Sequence, residues 1–272
     1  MIKLIRELVV LPLRLLVLVC RIVPVFDQYA LVKWIWKIGR AVEDGCTLIS
    51  MIGQKEGLEA AQVLAGQILT ETRSARVAVV IGIMESQNNP DFISIKGWID
   101  RAEELDCDDG QLLLILKFVC SMHFPEYNNK QIVDEMIACK YLPMEYSRAA
   151  LVEKADILCS EKRWEEAELI ADHLLCVKED SHARIFKWIV SLQRADHGQA
   201  EIHFAKSKGN IPEHYHSALV GQGYLYLGRD DEAMGWLYEA VKGGLRWPMQ
   251  KESPVGRMLQ SDKFAAYCAG RN

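Results

Sequence analysis

Residues 214–246 read HYHSALVGQGYLYLGRDDEAMGWLYEAVKGGLR. Small and aromatic residues stand at fixed intervals here: Gly221, Tyr224, Gly228, Ala233 and Ala240, in the order Gly-x2-Tyr-x3-Gly-x4-Ala-x6-Ala. The pattern predicts two helices folded into a hairpin. Gly221 and Ala233 are small where the two helices cross closely, and Tyr224 fills the space between them. Gly228 ends the first helix with a residue that tolerates a left-handed backbone.

The same unit stands one step back along the chain. Ala200 precedes Ala233 by 33 residues, with Phe204 as its aromatic and Pro212 closing it, and Ala167 lies another 33 earlier. Lys162-Arg163-Trp164-Glu165-Glu166-Ala167 reads as the turn and second-helix start of that earlier unit. Residues 148–246 thus carry three consecutive units, enough for a stable stack. These positions resemble the tetratricopeptide repeat. The family usually has an aromatic where Leu237 stands and a proline near Leu245, and this chain departs from it at both.

The resemblance implies an α-solenoid of antiparallel helix hairpins. It also implies an inner groove lined by the first helix of each pair, where Asp156, His182, Gln193, Tyr215, Gln222 and Tyr226 are the candidate partner contacts. Aromatics with hydrogen-bonding side chains suit a peptide groove, and ordinary surface positions on a scaffold that binds elsewhere are the competing reading. The tail, residues 249–268, resembles the closing helix that follows the last repeat in bacterial members of the family.

Upstream the small-residue positions are only partly filled. Helical segments near 43–53, 57–72, 74–87, 91–105, 110–122 and 129–141 read as three further, degenerate hairpins. They are separated by Gly57, Asn88-Asn89-Pro90, Asp108-Asp109-Gly110, Pro125 and Pro143. The expected organisation is N-terminal helices over 1–42, degenerate repeats over 43–147, and regular repeats with a cap over 148–272. The expected fold class is all-α.

Residues 1–23 read MIKLIRELVVLPLRLLVLVCRIV. Arg14 interrupts the apolar run, no A-x-A cleavage site follows, and Val19 before Cys20 is too large for a lipoprotein signal. As a membrane span, Arg14 near the middle would cost roughly 2.5–3.5 kcal/mol. At about 100° per residue, Lys3, Arg6, Glu7, Arg14 and Arg21 fall in one arc about 100° wide, and the rest is Leu, Val and Ile. That distribution fits a helix lying in the plane of an anionic membrane surface. After Pro24, Phe26, Tyr29, Trp34 and Trp36 cluster as interfacial aromatics do. The membrane-contact expectation therefore rests on Lys3, Arg6, Arg14, Arg21, Phe26, Trp34 and Trp36. A capping or oligomer contact made by the same helices is the competing reading.

Composition excludes several function classes. The net charge is −5, yet residues 1–40 hold seven basic side chains against two acidic ones, so the body is acidic. An acidic body disfavours nucleic-acid binding. The eight cysteines contain no C-x-x-C and read as buried, reduced thiols. His214 and His216 stand two apart, a spacing that does not share a helix face, and read with the neighbouring histidines as polar surface residues. Glu103-Glu104 and Glu165-Glu166 read as solvated charge. Gly82, Gly221 and Gly223 form no phosphate loop, and no serine or cysteine has a nucleophile context. No enzyme activity, cofactor, metal or small-molecule substrate is expected. The expected function is a protein-binding scaffold, peripheral on the cytoplasmic face of a membrane. The alternative is a soluble, homo-oligomerising structural protein whose first helices pack between subunits.

Overall fold

The computed structural model describes residues 32–33, 42–88, 92–105, 110–121, 127, 129–209, 211–245 and 253–271. The seven expected membrane-contact residues, Lys3 to Trp36, lie outside them. Among the described residues the chain is all-α, with fourteen helices and no strand. Packing divides it into one compact unit ending at Cys120 and a second starting at Ser121.

The first unit contains α1 (Val42–Glu56), α2 (Leu58–Thr72), α3 (Ala75–Asn88), α4 (Phe92–Glu104) and most of α5 (Gly110–Ser121). Helices α1 and α2 pack as one pair and α3 and α4 as another, and both members of the first pair also touch α3. Gly57, at φ +99°, reverses the chain between α1 and α2, a conformation that glycine adopts freely. Leu48, Ile49, Ile68, Ile81, Ile95 and Leu116 are fully buried and form the interior. Gly82 sets the approach on α3, because a Cβ there would lie 2.9 Å from Leu116 Cδ2 and 3.2 Å from Trp98 Cβ. Among the described residues of this unit, the carboxylate of Glu85 is buried. Glu85 accepts from the Gln62 amide and, at 2.6 Å, from Ser94 Oγ, which ties α2, α3 and α4 together.

The second unit begins with α6 (Asn129–Ala138), which packs on α7. Three hairpins follow: α7 (Met144–Ser160) with α8 (Trp164–Val177), α9 (Ser181–Gln193) with α10 (His197–Ser207), and α11 (Glu213–Tyr226) with α12 (Asp230–Lys242). The turns inside them are the same object three times. Lys162, Ala195 and Gly228 stand 33 residues apart and have φ of 59°, 58° and 71°. The next amide closes a six-residue loop in each: Arg163 N to Leu158 O, Asp196 N to Ser191 O and Arg229 N to Tyr224 O, all at 2.9 Å. The left-handed residue donates to the carbonyl three back, at 3.1, 3.1 and 3.0 Å. This arrangement satisfies the carbonyls orphaned at a helix end.

Helices α7, α9 and α11 also touch in sequence order and form one face of this unit. Within the third hairpin, Gly221 lets α11 lie against α12, since a Cβ there would come 2.8 Å from Leu237 Cγ and 3.4 Å from Ala233 O. Ala167, Ala200, Ala233 and Ala240 are buried at the equivalent and following crossings. Between the second and third hairpins the rings interlock. Trp188 lies 5.6 Å from Phe204 and 5.1 Å from Tyr224, the latter edge-to-face, and Phe204 lies 5.8 Å from Trp236.

The tail departs from the single closing helix expected. It forms two short helices, α13 (Pro254–Leu259) and α14 (Asp262–Ala269). Each has its own start signal: Ser253 Oγ accepts from Gly256 N at 3.0 Å, and Ser261 Oγ accepts from Phe264 N at 3.1 Å. They pack on α11 and α12, burying Val255 and Phe264 beside Met234 and Leu237.

Candidate functional site

The α7–α9–α11 face gathers hydrogen-bonding side chains of the second unit into two networks. The first joins the first and third hairpins. Asp156, near the end of α7, accepts from Gln222 Nε2 on α11 at 2.9 Å (Oδ1) and 3.1 Å (Oδ2), across 66 residues of sequence. The same amide donates to the Tyr226 hydroxyl at 2.6 Å, and that hydroxyl bonds to Asp156 in turn. Glu153, one turn earlier on α7, accepts from Asn129 Nδ2 at 2.6 Å, and Ser121 Oγ donates to Asn129 Oδ1 at 2.8 Å.

Burial and the mutual repulsion of the two carboxylates raise the pKa of Asp156 to about 7, against the bonds from Tyr226 and Gln222. Burial likewise raises that of Glu153, against the Asn129 bond. The Tyr226 hydroxyl is pushed well up by burial and by Asp156. Tyr226 is buried and Asp156 half-buried, both engaged in bonds within the protein.

The second network reaches the surface. Asp180 caps α9, its Oδ1 accepting from His182 N at 2.9 Å and Ala183 N at 3.1 Å, and Arg148 Nε on α7 donates to its Oδ2 at 2.6 Å. Burial works against the Asp180 carboxylate, but the bonds from His182, Arg148 and Ala183 outweigh it and hold its pKa below the usual range. Arg148 Nη2 lies 3.4 Å from His182 Nδ1, and His182 Nε2 lies 3.1 Å from the Tyr215 hydroxyl. His182 Nδ1 also lies 3.7 Å from Asp180 Oδ1. Arg148, His182 and Tyr215 thus form a relay from α7 through α9 to α11 with its outer edge in solvent.

Five of the six residues named from sequence take part in these networks. Gln193, the last residue of α9, is exposed and lies at the far end of its helix. Sequence reasoning missed Arg148, Glu153, Asp180 and Asn129. Glu153 carries a usable signal, standing three residues before Asp156 and so on the same helix face. Asp180 carries another, as an aspartate directly before a helical run. Nothing local marks Arg148 or Asn129.

Two expectations are corrected. His203 and His216 are buried, not surface residues. His216 Nε2 meets Ser207 Oγ at 2.8 Å, and its ring packs 5.6 Å from Phe204. Cys176 is exposed although its sequence neighbours are leucines, because it falls on the outer side of α8, while Cys46, Cys120 and Cys159 are buried.

Among the described residues no group of His, Cys, Asp or Glu is arranged to hold a metal ion, and no helix is long and apolar enough to cross a membrane. No model of a known protein family matches the chain, and no curated protein sequence matches it either.

Proposed function

We propose that the chain is a non-catalytic scaffold of tetratricopeptide type. In this reading its hairpins stack as an α-solenoid and hold a protein partner against the α7–α9–α11 face. The observation that carries the reading is the turn repeated at Lys162, Ala195 and Gly228 with one hydrogen-bond pattern and a 33-residue period. A period of that length in helix pairs belongs to the helix–turn–helix repeats. Such scaffolds bind extended peptides along the first helices of successive pairs, the face on which Arg148, His182 and Tyr215 reach solvent. Residues 1–42 serve in this reading as a tether to the cytoplasmic leaflet of a membrane.

The test is affinity capture from solubilised native membranes with wild type, Tyr215→Ala and Arg148→Glu, all with matched circular dichroism. A protein retained by wild type and lost with both variants supports the reading. A partner set unchanged by both variants overturns it. A chain that retains only copies of itself favours the homo-oligomer.

A further inference from the structure

The pairing of the first and third hairpins rests on two acids that share one helix face. Asp156 and Glu153 stand three residues apart on α7, and every described group acting on Asp156 is neutral or acidic: Glu153, Gln222 and Tyr226. The cations nearby are engaged elsewhere. Arg148 holds Asp180, Lys154 holds Asp134 of α6 at 2.5 Å, and Lys130 holds Glu161 at 2.7 Å. From α8, Glu166 faces Lys154 and Arg163. From α9, His182 is taken by Arg148 and Tyr215. On α7 itself Cys159 adjoins Asp156, and from α11 the two tyrosine hydroxyls of Tyr215 and Tyr226 face it. Two half-buried carboxylates with no counter-charge among the described groups around them hold one proton between them more readily than two negative charges.

We infer that Asp156 and Glu153 form a proton-operated latch between the first and third hairpins, closed when the pair holds a proton and loosened when it holds none. Closed, Asp156 is neutral and still accepts from Gln222 through its carbonyl oxygen, without a second negative charge beside Glu153. Without the proton, the two charges oppose each other where both side chains are half-buried and poorly hydrated, and the cheapest relief is to part α7 from α11. The direction follows from linkage. A carboxyl whose pKa is higher folded than unfolded contributes its stability at low pH and loses it as pH rises through the folded value. For Asp156 the loss therefore starts in the ordinary carboxylate range and is complete near neutrality.

Hydrogen exchange of the full chain, read by mass spectrometry at pH 5.5 and 8.5, tests this. Wild type and Asp156→Asn are compared at each pH, so that the intrinsic exchange rate cancels. Peptides from α7 and α11 are expected to show a wild-type-to-variant exchange ratio about tenfold or more larger at pH 8.5 than at pH 5.5, as each unit of pKa shift is a factor of about ten. Peptides from α3 are expected to show the same ratio at both values. A wild-type-to-variant ratio in α7 and α11 that does not change with pH overturns the latch. So does an equal change in α3, which would mark general unfolding. Should Asp156→Asn fail to fold, wild type alone gives the comparison with α3 as the internal reference: protection lost in α7 and α11 and kept in α3 as pH rises supports the latch, and an equal change in all three overturns it.

Discussion

Asp156 and Gln222 lie 66 residues apart, and both oxygens of the carboxylate accept from a single amide nitrogen, at 2.9 and 3.1 Å. The bond passes over the middle hairpin and joins the outer two directly. Removing the donor leaves a half-buried acid with Tyr226 as its remaining partner. Gln222→Leu is therefore expected to destabilise the second unit by about 1–3 kcal/mol, the cost of an unsatisfied buried group. Urea denaturation checks it. An unchanged midpoint would mean that the bond contributes nothing to the fold.

Gly221 and Gly66 make opposite predictions for one kind of change. A side chain at Gly221 runs into Leu237 Cγ at 2.8 Å, whereas Gly66, on the exposed side of α2, has nothing within 4 Å. Gly221→Val is expected to cost about 1–3 kcal/mol by overpacking. Gly66→Ala is expected to gain about 0.5–1 kcal/mol from reduced backbone entropy. Denaturant midpoints should move in opposite directions.

Lys162 and Ala195 hold left-handed backbones that side chains resist, at φ 59° and 58°. The conformation costs roughly 1–2 kcal/mol for an ordinary residue, partly offset by the greater chain entropy of glycine when unfolded. Ala195→Gly is expected to stabilise by about 0.5–1 kcal/mol, and Gly228→Ala to destabilise by a similar amount. Thermal melts of the two variants test the pair together.

His216 supplies a pH dependence of the opposite sign to the acid pair. Burial, with help from Lys208 and against Glu213, lowers its pKa in the folded protein. A base depressed by folding stabilises fully above its unfolded pKa, about 6.5. That contribution is lost as pH falls from there towards the folded value. His216→Gln is expected to flatten the loss of stability between pH 7.5 and 5.5 relative to wild type. Denaturant titrations at those two values measure it, and a variant with an undiminished slope would assign the dependence elsewhere.

The proposed tether predicts a charge effect. Each basic residue near an anionic surface contributes on the order of 1 kcal/mol. Arg14→Glu with Arg21→Glu is expected to release the protein from vesicles containing anionic lipid, as high salt does to wild type. Vesicle sedimentation reads both. Binding that persists in the double variant at low salt would show that these arginines do not hold the membrane.

Helix boundaries were largely legible because the chain breaks are chemical. Gly57 and Pro143 separate helices in the structure as their residue types require. The hairpin turn was legible at Gly228, where a glycine announces the left-handed backbone, but not at Lys162 and Ala195, whose side chains disguise the same conformation. Asp156 and Gln222 could each be named from sequence, but not as partners, because their meeting depends on how three intervening helices accumulate rotation. The buried histidines were misread for a related reason. His216 looks polar in its own stretch, and its partner Ser207 belongs to the preceding helix.

The identical turns make the second unit interchangeable in its joints. Cutting after Lys162 and resuming at Asp196 would rejoin a left-handed residue to the amide that normally follows one, with the same six-residue loop on either side. Such a shortened chain would have correct joints and a wrong span, since Asp156 and Gln222 would then sit one period apart instead of two. The turns fix only the interval between neighbouring hairpins. The Asp156–Gln222 bond acts as a ruler that checks their number, so evolution can vary the copy count here only by giving up that measurement or rebuilding it elsewhere.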